Sequence, residues 1–329
     1  MSTPLFLGVE FGGTKLQLGL GAGDGRLLAL ERRSVRPERG ATGIREQFVE
    51  AAKAVLGRVG GDASQVGAVG IGFGGPIDSA RGVVTVSNQV EGWTGFPIVA
   101  WMREVLGVRQ VVLANDADTA ALGEARFGAG VGCNPVLYVT IGSGVGGGLV
   151  VDGAIYRGSG RGAIEIGHLA VDCTCQGDNP SAIATLESKA SGWSIARRAR
   201  ELLDLGAPSP LVRLCDGKPS RISAELIARA ATEGDGVARM ILGEAQGAMG
   251  QALGHAINLL APQRIILGGG VSLIGEQDWF GPIRRATERW VFPPFRGSYD
   301  ILPAGLGEDV VVHGGLALAR DVHRAGGGG

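Results

Sequence analysis

Two glycine-rich loops, each set between strand-like runs, carry the clearest chemical signal in this chain. The first is Glu10-Phe11-Gly12-Gly13-Thr14-Lys15, after the apolar run Leu5-Phe6-Leu7. The second is Thr140-Ile141-Gly142-Ser143-Gly144-Val145-Gly146-Gly147-Gly148, after Val136-Leu137-Tyr138-Val139. Successive backbone N–H groups with no side chains in the way form a concavity that takes phosphate oxygens. One loop in each half of the chain suggests two lobes gripping one nucleotide. Acids and bases accompany them. Asn115-Asp116 closes the apolar run 110–114, at a strand end, where α/β folds present ligand-binding groups. A carboxylate there can accept a hydroxyl proton; the same pair also suits a turn and helix N-cap before the Ala-rich segment 117–127. Glu165 and His168 have E-x-x-H spacing, and Glu187 heads a helical segment. Two carboxylates and an imidazole can bond paired hydroxyl groups. Equally, Glu187 suits a helix-start charge and His168 a structural histidine.

The segments after the loops decide between nucleotide folds. Gly142, Gly144 and Gly147 formally satisfy G-x-G-x-x-G, but a dinucleotide site needs a helix next, with the pyrophosphate on its N-terminus. Here Leu149-Val150-Val151-Asp152-Gly153-Ala154-Ile155 follows, a hairpin with Asp-Gly at its turn. After the first loop, Leu16-Gln17-Leu18-Gly19-Leu20 alternates like a strand. No G-x-x-x-x-G-K-[ST] run is present, so the Rossmann and P-loop readings both fail. Strands are predicted over 5–9, 15–20, 26–34, 68–76, 110–114, within 136–156, over 264–267 and near Ile301. Helices are predicted over 44–59, 98–106, 117–127, 187–204, 223–231, 234–260 and 314–323. Strands followed by helices in two similar halves imply an α/β protein with a duplicated core.

Composition narrows the class further. The 329 residues suffice for two domains. Glycine is the outlier at 59 residues, with 45% of the chain hydrophobic, a profile of many tight turns rather than disorder. The formal net charge of −1 gives no electrostatic case for nucleic acid. Apolar stretches are short and broken by glycine, so no membrane partner is expected. Four irregularly placed cysteines make no disulfide framework, and Met-Ser-Thr-Pro lacks a charged leader. The expectation is a cytoplasmic protein.

The motifs above, with Ala114-Asn115-Asp116-Ala117, Glu165-Ile166-Gly167-His168, Glu187 and Pro262-Gln263-Arg264-Ile265-Ile266-Leu267-Gly268-Gly269-Gly270, resemble in order and spacing the sugar kinases of the ROK family (repressors, open reading frames, kinases), within the actin-like ATPase superfamily. The resemblance spans nearly the whole chain. It implies a two-lobed α/β, duplicated ribonuclease H-like fold with a cleft between the lobes. The N-terminal lobe would be 1–116, completed by a C-terminal helix at 310–325, and the C-terminal lobe 117–309. The resemblance also implies ATP and Mg2+ as cofactors. Gly12, Gly13, Thr14 and Lys15, with Thr140, Gly142, Ser143 and Gly144, would hold phosphates, and Gly269 and Gly270 the adenosine. Glu10 stands where the family carries Asp or Glu near magnesium, an ion held mostly by waters and phosphates. Asp116 would be the catalytic base, and Asn88, Asn115, Asp116, Glu165, His168 and Glu187 would contact the sugar.

The expected reaction is phosphorylation of glucose at its 6-hydroxyl, because the 88–93 segment and the Glu165/His168/Glu187 set resemble glucokinase-like members. The alternatives are another hexose or N-acetylhexosamine, or a non-catalytic sugar-sensing regulator. Regulators of the family carry a helix-turn-helix ahead of the first strand; here that strand starts at Leu5, which favours the enzyme. The resemblance implies a small-molecule sugar as partner and a homodimer. Many relatives bind zinc through the histidine of E-x-x-H and three cysteines. Here His168, Cys173 and Cys175 are one short, with no third cysteine before Glu187, so a four-ligand zinc site is not expected.

Overall fold

A computed structural model describes residues 4–87, 90–159, 163–172 and 183–326. Leu5–Phe11 (β1), Lys15–Gly21 (β2) and Leu27–Ser34 (β3) form an antiparallel meander. Val66–Phe73 (β4) pairs parallel to β1, and Gln110–Asn115 (β5) parallel to β4. The sheet order is β3-β2-β1-β4-β5. The second sheet comprises Val136–Ile141 (β6), Val145–Val151 (β7), Ala154–Ile155 (β8), Arg264–Gly268 (β9) and Asp300–Pro303 (β10). Its order, β8-β7-β6-β9-β10, repeats that of the first. The core is therefore a duplication. Each glycine loop closes the first hairpin of its sheet: Gly12 N–H donates to the Lys15 carbonyl at 2.9 Å, and Gly142 N–H to that of Gly144 at 2.9 Å. After β7 the chain turns at Asp152 and Gly153 with φ of +51° and +73°. Positive φ at both central residues suits a two-residue hairpin, so no helix follows the loop.

β1, β2 and β4 are almost wholly buried because helices cover both faces of the first sheet. On one side Ile44, Phe48 and Val55 of Gly40–Gly57 (α1) and Met102 of Ile98–Leu106 (α2) enter the core with Leu7, Val9, Leu16 and Leu18. Each such fully buried Leu or Phe contributes about 1.5–3 kcal/mol. On the other side Leu316 and Ala319, from the C-terminal helix Val310–Gly326, pack with Phe6 and Ala68. That helix lies so close that a Cβ at Gly70 would collide with the Gly315 carbonyl oxygen. Asp116–Phe127 (α3) runs beside it, and the backbone of Thr119 occupies the place a Cβ on Gly314 would need. Near the end of α3, Glu124 is 0% exposed. Its carboxylate accepts from the N–H groups of Ala129 (2.7 Å), Gly305 (3.1 Å) and Leu306 (2.9 Å).

By internal contact the chain groups into two compact units. One is Met1–Tyr138 with Gly148–Ala163 and Gly305–Gly329; the other is Val139–Gly147 with Ile164–Ala304. The sequence reading drew its boundary after residue 116. The contact grouping instead keeps α3 with the first unit, since α3 packs on the C-terminal helix. In the second unit, the single helix expected over 187–204 is two, Leu186–Ala190 (α4) and Gly192–Asp204 (α5). Ser191 between them is extended (ψ 154°) and caps α5 through the Ser194 N–H. The break lets Gly192 N–H reach the Gly142 carbonyl at 2.8 Å, bracing the second glycine loop. Ala224–Thr232 (α6) and Gly236–Leu260 (α7) follow, and Val310–Gly326 is α8.

Candidate active site

In the first unit, Glu10, the last residue but one of β1, is 4% exposed. One carboxylate oxygen lies 3.2 Å from Lys15 Nζ, and the other accepts from Gln17 Nε2 at 2.8 Å. The loop Gly12-Gly13-Thr14 connects it to β2. At the end of β5, two strands over from β1 in the same sheet, Asn115 caps α3: its Oδ1 accepts the Ala117 N–H at 2.8 Å, and its Nδ2 donates to the Gly75 carbonyl at 3.3 Å. Asn115 thus does the capping, which leaves Asp116 as the first helical residue. Asp116 Oδ1 also accepts from Ala117 N–H, at 2.9 Å, at the positive end of the helix. Gly74 is what admits Asp116 to the loop. A Cβ there would lie 3.2 Å from Asp116 Oδ2 and 3.6 Å from Gly12 Cα.

Burial pushes the Glu10 carboxyl from its ordinary 4.5 up to about 7. Lys15's charge and the hydrogen bonds from Gln17 and Lys15 pull it back, while the Asp116 charge adds to the rise. A buried carboxylate left in electrostatic deficit beside a second acid suits a divalent cation. Two of its lone-pair sites are taken by Lys15 and Gln17, which leaves others for metal-bound waters. Among the described residues no cluster of three or more acids, histidines or cysteines forms a direct metal cage. The donors present fit a water- and phosphate-held magnesium, which needs one or two carboxylates. The raised value also fixes a pH dependence. Because the folded pKa exceeds the unfolded one, Glu10's contribution to stability is full below 4.5 and is lost as pH rises to about 7. In metal-free denaturant titrations, Glu10→Gln should match wild type near pH 4.5. At pH 8 it should exceed wild type by on the order of 1–3 kcal/mol. An equal gap at both pH values would contradict this.

In the second unit, Val145, just past Gly142-Ser143-Gly144, gathers the other predicted residues. Its N–H donates to Glu187 Oε2 at 2.8 Å. Glu187 sits in the first turn of α4, whose cap Thr185 forms a reciprocal capping box with Ser188. A Cβ on Gly144 would come within 2.5 Å of that same Glu187 oxygen, so a side chain there would push the carboxylate off this position. Glu165 and His168 bracket one 3-10 turn, Ile166–His168, and both are exposed. The turn rests on Val145, whose carbonyl occupies the space of a Cβ on Gly167. Just before it, Ile164 has φ of +62°, a strained conformation for a β-branched residue. Gly269, φ +83°, packs against the Ile141 backbone, where a Cβ would meet atoms at 2.5–2.6 Å; Gly270 faces open space. The adenosine-type loop therefore abuts the strand end that delivers the second phosphate-type loop, with Thr140 one residue earlier. Asn88, Cys173 and Cys175 lie outside the described residues. Sequence reasoning did not single out Gln17, Arg32 and Asp309, which stand one, two and three removes from Glu10. The available signal was a lone amide in the otherwise apolar strand Lys15–Gly21.

The duplicated five-stranded sheets, each opening on a hairpin with a phosphate-type glycine loop, define an α/β protein of the actin-like ATPase fold. The chain belongs to the ROK family, whose model matches residues 6–322. It is 32% identical to a glucokinase of Thermotoga maritima, over 96% of this chain and 97% of that one. Among solved structures, a ROK family glucokinase from Streptomyces griseus, in complex with glucose and AMPPNP, superposes with a TM-score of 0.80 at 32% identity, covering 96% of this chain and 99% of that one. A ROK hexokinase from Thermus thermophilus gives a TM-score of 0.80 at 27% identity, over 98% and 99% of the two chains.

Proposed function

We propose that this protein transfers the γ-phosphoryl group of ATP to the 6-hydroxyl of glucose. The observation that carries the reading is the full-length likeness to glucokinases, one of them in complex with glucose and AMPPNP. Asp116 is the general base. It stands at a strand end, with Asn115 taking over the capping duty, and accepts the hydroxyl proton as the oxygen attacks. The loops of Gly12, Gly13, Thr14 and Lys15, and of Thr140, Gly142, Ser143 and Gly144, take the phosphates, the N–H groups of Gly12 and Gly142 holding each hairpin shut while the rest of the loop backbone and the Lys15 cation face the oxygens. Gly269 and Gly270 leave the backbone open to the adenosine. Glu165, His168 and Glu187, with Asn88 and Asn115, bind the sugar hydroxyls. Glu187 holds its orientation through the Val145 N–H, and the capping of α4 fixes its backbone. Magnesium, when bound, neutralises charge on the transferring phosphate oxygens; Glu10 would hold it through water.

A coupled ADP-release assay tests this, with magnesium-ATP against glucose, mannose, fructose, N-acetylglucosamine, N-acetylmannosamine and no sugar. We expect glucose to give kcat/KM at least about tenfold above any other sugar, a gap of about 1.4 kcal/mol in transition-state binding. Preference for another sugar would move the substrate assignment and leave the reaction class standing. Sugar-independent silence with both ATP and polyphosphate would overturn the enzyme reading in favour of a sensor. Among the described residues no helix is long and apolar enough to cross a membrane. A cytoplasmic homodimer is part of the same proposal, and light scattering on the purified chain tests the dimer.

A further inference from the structure

Gln17 is 1% exposed, in a strand whose other buried side chains are apolar. A buried amide must satisfy both of its ends, and here each end meets a single kind of partner. The Nε2 group donates to Glu10 Oε2 at 2.8 Å and to the Glu308 carbonyl at 2.9 Å. The Oε1 atom accepts from Arg32 Nε at 3.0 Å. Turning the amide over would set its NH2 against a guanidinium and its oxygen against a carboxylate, so a single orientation survives. Arg32 is itself fixed, since its Nη2 donates to Asp309 Oδ1 at 2.6 Å and Oδ2 at 2.7 Å. Arg32 Nε, besides bonding Gln17, also reaches Asp309 Oδ1 at 3.2 Å, so two nitrogens facing both oxygens define the plane of the guanidinium. Lys15 Nζ, the other partner of Glu10, also donates to the Glu308 carbonyl, at 3.2 Å. Both groups that touch Glu10 are thus tied to one turn, 307–309, at the foot of α8.

We infer that Gln17 is a positioning residue for magnesium. Through the chain Asp309–Arg32–Gln17 it sets where the Glu10 carboxylate stands, and so the water shell of the metal that accompanies the nucleotide. This rests on the reading of Glu10 as the magnesium-side acid. The relay leaves the sugar-binding groups untouched, so its loss should be read in the metal-dependent part of nucleotide binding.

The test uses the full chain and measures AMPPNP affinity with and without Mn2+, following bound Mn2+ by electron paramagnetic resonance. Gln17→Leu keeps the bulk and removes both hydrogen-bonding ends. It should reduce the Mn2+-dependent gain in affinity by about tenfold, the range of losses seen when partners of metal ligands are removed. The apparent magnesium requirement of the reaction should rise in parallel, with the KM for glucose within about twofold. Arg32→Met, at a more exposed position, severs only the outer anchor and should give a smaller loss in the same direction. If Gln17→Leu does not fold, Arg32→Met decides. An unchanged Mn2+ gain in the folded variants, while Glu10→Ala removes it, overturns the inference and leaves the Glu10 reading intact. An unchanged gain in Glu10→Ala itself overturns both.

Discussion

Asp116→Asn should lower kcat for glucose phosphorylation by 10²–10⁴-fold, the usual worth of a positioned base, or about 2.7–5.5 kcal/mol of barrier. Asparagine keeps an oxygen for the Ala117 N–H and nearly the same volume, so the start of α3 and the strand before it should survive. What it cannot do is take a proton. The KM for glucose should therefore shift by no more than a fewfold, and the melting temperature little, so that the loss falls on kcat. Steady-state kinetics of the purified variant with magnesium-ATP and glucose, alongside thermal unfolding, make the comparison. A kcat within tenfold of wild type would remove Asp116 from the role of base.

Glu124→Ala should cost about 3–6 kcal/mol of stability, because three part-buried backbone N–H groups lose a charged acceptor at once, at about 1–2 kcal/mol each. Typical domains hold only 5–15 kcal/mol in total, so the variant should be marginal at 37 °C. Glu124→Gln should recover part of the loss, since its amide oxygen can serve some of the donors while its NH2 opposes the rest. Equilibrium urea unfolding of the two variants orders them: wild type above Gln, and Gln above Ala. A Glu124→Ala variant within about 1 kcal/mol of wild type would mean these donors find other acceptors.

These two residues also show where sequence reading works and where it stops. The strand-to-helix junction at Asn115-Asp116 was legible because its signal is local: an apolar run, a polar pair, then an Ala-rich helix. The same holds for Ile98–Leu106 and for the hairpin at Asp152-Gly153, where an apolar period or a turn dipeptide is complete within a dozen residues. Glu124 was not legible. On paper it is a charged residue in a helix of moderate polarity, and two of its three partners lie at 305 and 306, far along the chain. Gln17 is hidden the same way: in alternation with leucines it reads as the wet side of a half-buried strand, yet helices cover both faces of that sheet. Local pattern alone starts the C-terminal helix at Gly314, whereas the family resemblance places its start at 310, and it begins at Val310. Three consecutive valines disfavour helix locally, and packing against β1 and β4 overrides that preference. The break at Ser191 likewise answers to a carbonyl on the glycine loop at Gly142, which no short window contains.

The order of strands and helices has a consequence for biosynthesis. A ribosome releases β1 through β5 first, yet the helix that seals one face of their sheet, and the turn that tethers Lys15 and Gln17, emerge last. Until α8 is out, a nascent chain carries an apolar face centred on Phe6 and Ala68 with nothing to cover it. The second unit, whose residues are contiguous apart from one hairpin tip, has all its parts earlier. Folding on the ribosome should thus run against the direction of translation, with the amino-terminal half waiting on the codons of α8. A message cut short there would yield a chain that holds its glycine loops and lacks the means to set them.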